Sequence, residues 1–211
     1  MNPAYLAIIG DVVASRQEQD RPALQLKLAQ ALEAANVRYP QAIAAGFTLT
    51  VGDEFQGLLH TSDPLLQLLA GLRSAVHPVE LRFGLGAGPL STPLQPVALG
   101  MDGPCFHRAR QAIERAEASA TPIEVDPGAP ALTIYSQLYG ALRLRWTERQ
   151  RQVHDLAAGG LAGKQIAQQL GITASAISQH LQASDRNRLE VAEAQWLTTV
   201  GQILSKAGER S

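Results

Sequence analysis

Apolar residues fill both faces of positions 5–10, a short β-compatible run without polar alternation, and this predicts a central strand buried on both sides. Between 21 and 39 the period changes: Leu24, Leu28, Ala31, Leu32 and Ala35 recur at three- and four-residue spacing, predicting an amphipathic helix ended by Pro40. Two short apolar runs, 47–51 and 55–59, bracket Gly52 and Asp53 and read as a hairpin turning on those two residues. Asp63 then opens a second helix as its N-cap, with Pro64 at the first helical position and Leu65, Leu68, Leu69 and Leu72 on the apolar face. Residues 79–90 form another strand with Gly84, Gly86 and Gly88 on one face, so either a packed helix or a ligand approaches the backbone there. A helix over 106–118 and a short strand at 123–125 follow. The order strand, helix, strand, strand, helix, strand is that of an α+β, ferredoxin-like core.

The pattern beyond 130 is all helical. Leu132, Tyr135, Leu138, Tyr139, Leu142 and Trp146 predict a linker helix over 131–146. Thr147 and Gln150 make a capping box, in which hydroxyl and amide side chains satisfy the free amides at a helix start; that helix runs to Ala158 and stops at Gly159 and Gly160. Two short helices follow, 164–170 and 174–181, with Gly171 as the tight turn, Thr173 as the second cap, and Ile166, Ala167, Leu170, Ile177 and Leu181 facing one core. That is a helix-turn-helix, although Ala162 stands where a capping serine or threonine is expected. A last helix over 187–206 is expected to pack on a partner copy or on the linker helix. The chain thus divides into a sheet domain (1–130), a linker helix (131–146), a helix-turn-helix domain (147–185) and a terminal helix (186–211).

Composition changes little in this picture. With 45% hydrophobic and 18% charged residues and a formal charge of −1, the 211-residue chain belongs with ordinary globular proteins and carries no polybasic signal. Cys105 is the single cysteine, which excludes an internal disulfide and fits a reducing cytoplasm, and the apolar run at the N-terminus is too short for a membrane span. Outward-facing Ser175, Ser178, Gln179 and Gln182, with Thr173 and Lys164, are candidate DNA contacts, and Arg149, Arg151, Arg186 and Arg188 are candidate phosphate partners. Because the charge is modest, useful affinity requires a homodimer. The competing reading of these helices is an oligomerisation bundle.

Acid in two places changes more. Asp11 ends the first strand and Asp53 lies on the hairpin, and antiparallel pairing of the first and third strands brings the two together. Neighbouring carboxylates repel unless neutralised, either by a hard divalent cation or by an arginine such as Arg16 or Arg82. His107, Arg108 and Arg110, near a helix start, are candidate phosphate contacts, or else part of a solvated helix face.

Together, the run Ile8, Ile9, Gly10, Asp11 and Val12 with Ser15 and Arg16, the stretch TVGDEFQG at 50–57, RFGLG at 82–86 and GPCFHRAR at 103–110 resemble the SatD family. More distantly, the N-terminal region resembles nucleotidyl cyclases and diguanylate cyclases of the GGDEF type, and the C-terminal helices resemble the helix-turn-helix of LuxR and sigma-factor proteins. The resemblance implies a nucleotidyl cyclase-like domain in which Asp11 and Asp53 hold Mg2+ or Mn2+. It also implies a nucleotide or phosphorylated small molecule contacted by Gly10, Val12, Ser15, Arg16, Glu54, His107, Arg108 and Arg110. The chain departs from the enzymes at Leu49, where purine cyclases carry a base-selecting lysine, at His107 and Gln111, where they carry asparagine and arginine, and in having one glycine before Asp53. No catalytic residue is assigned on this basis. The expected function is a cytoplasmic, DNA-binding regulator that senses such a ligand; the alternative is an active cyclase or related phosphotransferase.

Overall fold

The computed structural model describes residues 3–14 and 20–209. Ser15 and Arg16 lie outside the described residues. Five strands form one sheet: β1 (Tyr5–Val12), β2 (Ile43–Leu49), β3 (Phe55–Leu59), β4 (Leu81–Gly88) and β5 (Ile123–Asp126), in the spatial order β2-β3-β1-β4-β5. The central strand β1 is antiparallel to β3 and β4, and β5 adds parallel to β4, so a ferredoxin-like α+β sheet has gained one edge strand. Alternation along β1 sorts its side chains. Leu6, Ile8 and Val12 face α1 (Arg21–Arg38) and α2 (Leu65–Val76), whereas Ala7 and Ile9 face α3 (Pro104–Ser119). Both faces are therefore covered, which is why residues 5–10 are apolar throughout.

The three glycines of β4 are explained by α3. A Cβ on Gly86 would stand 2.1 Å from the Cys105 carbonyl oxygen and 2.2 Å from the Ala109 nitrogen, and one on Gly84 would stand 2.4 Å from the Ala109 carbonyl oxygen. The helix backbone lies directly on the strand backbone, and of the two occupants open from sequence it is the packed helix that fills this face.

Two local expectations are corrected. β2 begins at Ile43 and ends at Leu49, and its connection to β3 is closed by Thr50 N–H donating to the Glu54 carbonyl at 2.8 Å. The loop is wider than a two-residue turn, with Gly52 in the left-handed region at φ 68°. Bulges in β2 shift its register, and its edge is covered by side chain and loop: Asn36 exchanges two hydrogen bonds with the Phe47 backbone, and Gly46 pairs with the loop at Pro96 and Ala98. The second correction concerns α2, which starts at Leu65 with Pro64 at the cap; Asp63 makes no capping bond.

The C-terminal half comprises α4 (Pro130–Arg145), α5 (Glu148–Ala158), α6 (Gly163–Leu170), α7 (Ala174–Ala183) and α8 (Arg186–Glu209). Val153, Leu156, Ile166 and Ile177 make a small separate core for α5 to α7. As one of the two expectations had it, α8 packs on the linker helix α4; it also packs on the N-terminal sheet domain, which was not expected, and Trp196, Val200 and Leu204 enter the main core there. Its apolar stripe alone does not reveal which of several apolar surfaces receives it.

Charge fastens the two halves. Arg143 of α4, with a side chain 6% exposed, donates to both Asp155 oxygens at 2.7 and 3.0 Å, to Glu80 at 2.8 Å and to the Tyr139 hydroxyl at 3.1 Å. Burial on its own raises the Asp155 carboxyl, but the pairing with Arg143 outweighs it and holds the group below the ordinary carboxylate range. Beside it His154 is enclosed by Tyr139 and Trp146, and burial pushes its imidazole down to about 3.

Two outcomes follow from this packing. Gly86→Ala should force α3 off the sheet and lower stability by about 1–3 kcal/mol in urea unfolding. Gly71→Ala, mid-helix in α2 with nothing within 4 Å of the added methyl, should raise it by about 0.5–1 kcal/mol. The depressed His154 pKa means that, from pH 6.5 downward, the unfolded chain takes up a proton that the folded chain refuses. Stability should therefore fall as pH drops from 6.5 toward 3, at up to about 1.4 kcal/mol per pH unit from this group. Urea midpoints of His154→Gln across that window should decline less steeply; an identical slope removes His154 from the account.

Candidate functional site

Asp11, at the end of β1, lies across from Arg82 of β4 in the strand register, and β1–β3 pairing of Gly10 with Phe55 sets Glu54 and Asp53 at the same end of the sheet. Among the described residues, Arg110, Arg21 and Arg82 pair with the acids Glu54, Asp53 and Asp11 at this end, and the pairs differ in tightness. Glu54 takes a two-pronged bond from Arg110 of α3, one prong being Arg110 Nη2 donating to Oε1 at 2.6 Å, and a further bond from Thr50 Oγ1 at 3.2 Å. Those bonds, opposed by burial, hold the Glu54 carboxyl below its usual range. Asp53 has Arg21 at 3.7 Å and Asp11 has Arg82 at 3.7 Å, both beyond hydrogen-bond length. Burial pushes the Asp11 carboxyl up; Arg82 pulls it down, and the charges of Glu117, Asp53 and Glu54 raise it further. Its Oδ1 is buried and accepts no hydrogen bond from the described residues.

A buried, unsatisfied carboxylate oxygen repelled by three neighbouring carboxylates fits a hard cation taking oxygen ligands. Asp11 and Asp53 are the two acids whose partners are loose enough to yield to one. Glu54 is engaged by Arg110 and Thr50. Among the described residues, no group of three or more His, Cys, Asp or Glu side chains is gathered to hold a metal ion.

The other expected ligand contacts scatter. Gly10 leaves room for a protein ring, since a Cβ there would stand 2.2 Å from Phe55 Cζ, and the Val12 side chain is buried in the core. His107 binds Asp102 at 2.8 Å, and Arg108 donates to the Ala87 carbonyl and lies 4.0 Å from Asp126. Ala87 pairs with Leu6, five residues along β1 from Asp11, about 16 Å away. The helix α3 runs antiparallel to β4, so its N-terminus lies at the far end of the sheet. Only Arg110 of this trio reaches the acids.

In the C-terminal half, α6 and α7 meet through Gly171, which adopts φ 64° and caps α6, while Thr173 Oγ1 accepts from Ala176 N–H at 3.1 Å to start α7. The missing hydroxyl at Ala162 is offset from the other side, its backbone N–H donating to Gln165 Oε1 at 2.9 Å. Ile177 alone of α7 is fully buried, so Ser175, Ser178, Gln179 and Gln182 are exposed, as are Thr173 and Lys164. The phosphate candidates separate. Arg149, Lys164 and Arg188 are exposed; Arg151 is turned inward, donating to the Trp146 carbonyl at 2.8 Å, and Arg186 pairs with Glu193 and Glu190 with its side chain 11% exposed.

Residues 5–121, more than half of the chain, match the model of the SatD family. The chain belongs to the SatD family. Residues 145–199 match the model of bacterial regulatory proteins, luxR family. No curated protein matches. Among solved structures, the SatD-family chain is similar to the guanylyl cyclase domain of the RhoGC fusion protein from Blastocladiella emersonii, at 16% identity and TM-score 0.43 over 54% of this chain and 75% of that one. It is also similar to a bacterial light-regulated adenylyl cyclase, at 12% identity and TM-score 0.46 over 59% and 76%. A third is the active GGEEF domain of a diguanylate cyclase from Vibrio cholerae, at 16% identity and TM-score 0.42 over 60% and 85%.

Sequence reasoning passed over Arg21, Glu117 and the buried junction of Tyr139, Arg143, His154, Asp155 and Glu193. One signal was available: Arg143 follows Tyr139 by four on the buried stripe of α4, where a charged residue needs a partner.

Since burial and like charge oppose an ionised Asp11, that carboxylate counts against the folded state above its unfolded pKa of 3.8, and the penalty grows as pH rises. Asp11→Asn should therefore melt no lower than the parent at pH 7, with a smaller advantage at pH 3. A variant that melts clearly lower at pH 7 would show that the Arg82 contact outweighs the repulsion.

Proposed function

We propose that this SatD-family chain is a DNA-binding regulator that acts as a dimer and senses, at Asp11 and Asp53, a nucleotide or phosphorylated small molecule carried with Mg2+ or Mn2+. The observation that supports the first part is the exposed polar face of α7 on a capped helix-turn-helix. Glutamine and serine side chains at Ser175, Ser178, Gln179 and Gln182 suit adenine edges and mixed base edges, and Lys164, Arg149 and Arg188 suit phosphates. The second part is supported by the unsatisfied Asp11 oxygen and the two loose ion pairs. Asp11 and Asp53 would hold the ion, whose positive charge would offset the repulsion among the acids and favour a phosphate-bearing ligand; Glu54 and Arg110 hold the loop that presents Asp53. Among the described residues no helix is long and apolar enough to cross a membrane.

Binding to a duplex is measured by fluorescence anisotropy across salt concentrations, with and without nucleotides and manganese. With three exposed basic residues per copy and two copies, log K should fall against log salt with a slope of about −5. Gln179→Ala should weaken specific binding by about 1–3 kcal/mol while leaving that slope unchanged. A nucleotide that alters DNA affinity in the parent should have no effect in Asp53→Ala. Absence of any salt-dependent duplex binding overturns the regulator reading, and a cyclic nucleotide formed in the same mixture makes the chain an enzyme instead.

A further inference from the structure

A cleft of about 240 Å³ opens where the sheet domain meets α4 and α5. Its apolar lining is Val13, Leu81, Pro122, Gly140 and Leu144, and the close approach of α4 to Pro122 (a Cβ on Gly140 would stand 3.0 Å from Pro122 Cδ) shapes the floor. Its charged lining is three guanidinium groups, Arg82, Arg143 and Arg151, and two carboxylates, Glu80 and Glu117. Glu80 is shared by Arg143 at 2.8 Å and Arg151 at 3.1 Å, so both of those arginines are committed. Arg82 is different. Its side chain is only 11% exposed, yet its contacts among the described residues are ion pairs at 3.7 Å to Asp11 and 3.5 Å to Glu117, and its buried Nη1 finds no hydrogen-bond acceptor. Arginine nitrogens only donate, so a buried guanidinium without an acceptor asks for an anion. Glu117 does not meet that demand well: its own side chain is 71% exposed and costs little to displace.

We propose that this cleft binds a small organic anion, an oxyanion carried on a compact apolar body, with Arg82 as its anchor. The volume lies just under the range of drug-sized pockets, so the occupant is of metabolite size. A carboxylate or phosphate takes the planar fork of Arg82 in place of Glu117, and the apolar body covers Leu81, Pro122 and Leu144. The walls come from both halves of the molecule, so the occupant lies between the sheet and the helices that carry the helix-turn-helix. The inference does not rest on the metal and nucleotide reading of Asp11 and Asp53, and its test is run in chelator without DNA.

Isothermal titration of the full chain with benzoate and with phenyl phosphate tests both oxyanions, against benzyl alcohol, which lacks the charge, and inorganic phosphate, which lacks the apolar body. At least one of the two aromatic anions should bind with a Kd of about 1 mM or tighter, and both comparators at least about tenfold more weakly. Leu144→Trp fills the mouth from a position 81% exposed in the parent, so the fold is kept, and Arg82→Gln removes the anchor. Each should weaken the aromatic anion at least about tenfold, Leu144→Trp with a melting midpoint near that of the parent. Failure of both anions to bind at about 10 mM, benzyl alcohol binding as well as benzoate, or unchanged affinity in Leu144→Trp overturns the proposal.

Discussion

The guanidinium of Arg143 joins the two halves of this molecule. It is withdrawn from water together with Asp155, and a buried pair of this kind contributes little net stability compared with apolar packing, because desolvation consumes most of the Coulomb gain. What it provides is direction. Two parallel bonds to Asp155 and two from Nη2 to the Glu80 carboxylate are satisfied in only one relative placement of α4, α5 and the approach to β4. Leucines alone would let α5 slide on α2. With α8 sending Trp196 and Val200 into the main core, the helix-turn-helix is attached to the sheet domain at a fixed angle. In a dimer, the spacing of the two α7 helices is then set by the surfaces that pair the copies rather than by a flexible tether.

A second constraint, backbone contact between α3 and β4, arranges the acidic end. With no side chains between them, helix and strand approach closely enough for Arg110 to reach across to Glu54 and for Glu117 to meet Arg82. The acids are thereby ranked. Glu54 is locked by hydrogen bonds into the loop, whereas Asp11 and Asp53 keep only long ion pairs. Three carboxylates that look equivalent as letters have different physical duties, one structural and two available.

Much of the fold was legible because it rests on period. The helical spacing of α1, α2 and α4, the two-sided apolarity of β1 and the caps at Thr147 and Thr173 are local features, and they recur in the structure. The start of β2 was missed because its bulges break the alternation, and Asn36 replaces a neighbouring strand there. At the candidate site, strand order was enough to bring Asp11 level with the loop that carries Asp53. It was not enough to place α3, whose direction over the sheet sends His107 and Arg108 to the wrong end. The buried junction was illegible for a different reason. Arg143, His154, Asp155 and Glu193 are each ordinary surface residue types, and only tertiary packing turns them inward together.

Arg82 links the two regions where charge is incompletely satisfied. It stands between Asp11 and Glu117 with a hydrogen bond to neither, so whatever draws it toward one loosens it from the other. A cation at Asp11 would compete with Arg82 for that carboxylate and leave the guanidinium freer to face the cleft. An anion in the cleft would hold the guanidinium away from Asp11 and leave the carboxylate freer for a cation. Each occupant thus removes the other's competitor, and reciprocity requires the same factor in both directions. The gain is bounded by what Arg82 and Asp11 exchange at 3.7 Å in partly solvated surroundings, a weak pair, so the coupling belongs at the low end of the usual range of about 1–3 kcal/mol. Because one wall of the cleft is α4 and α5, that exchange would also connect the acidic end to the helices that carry α7.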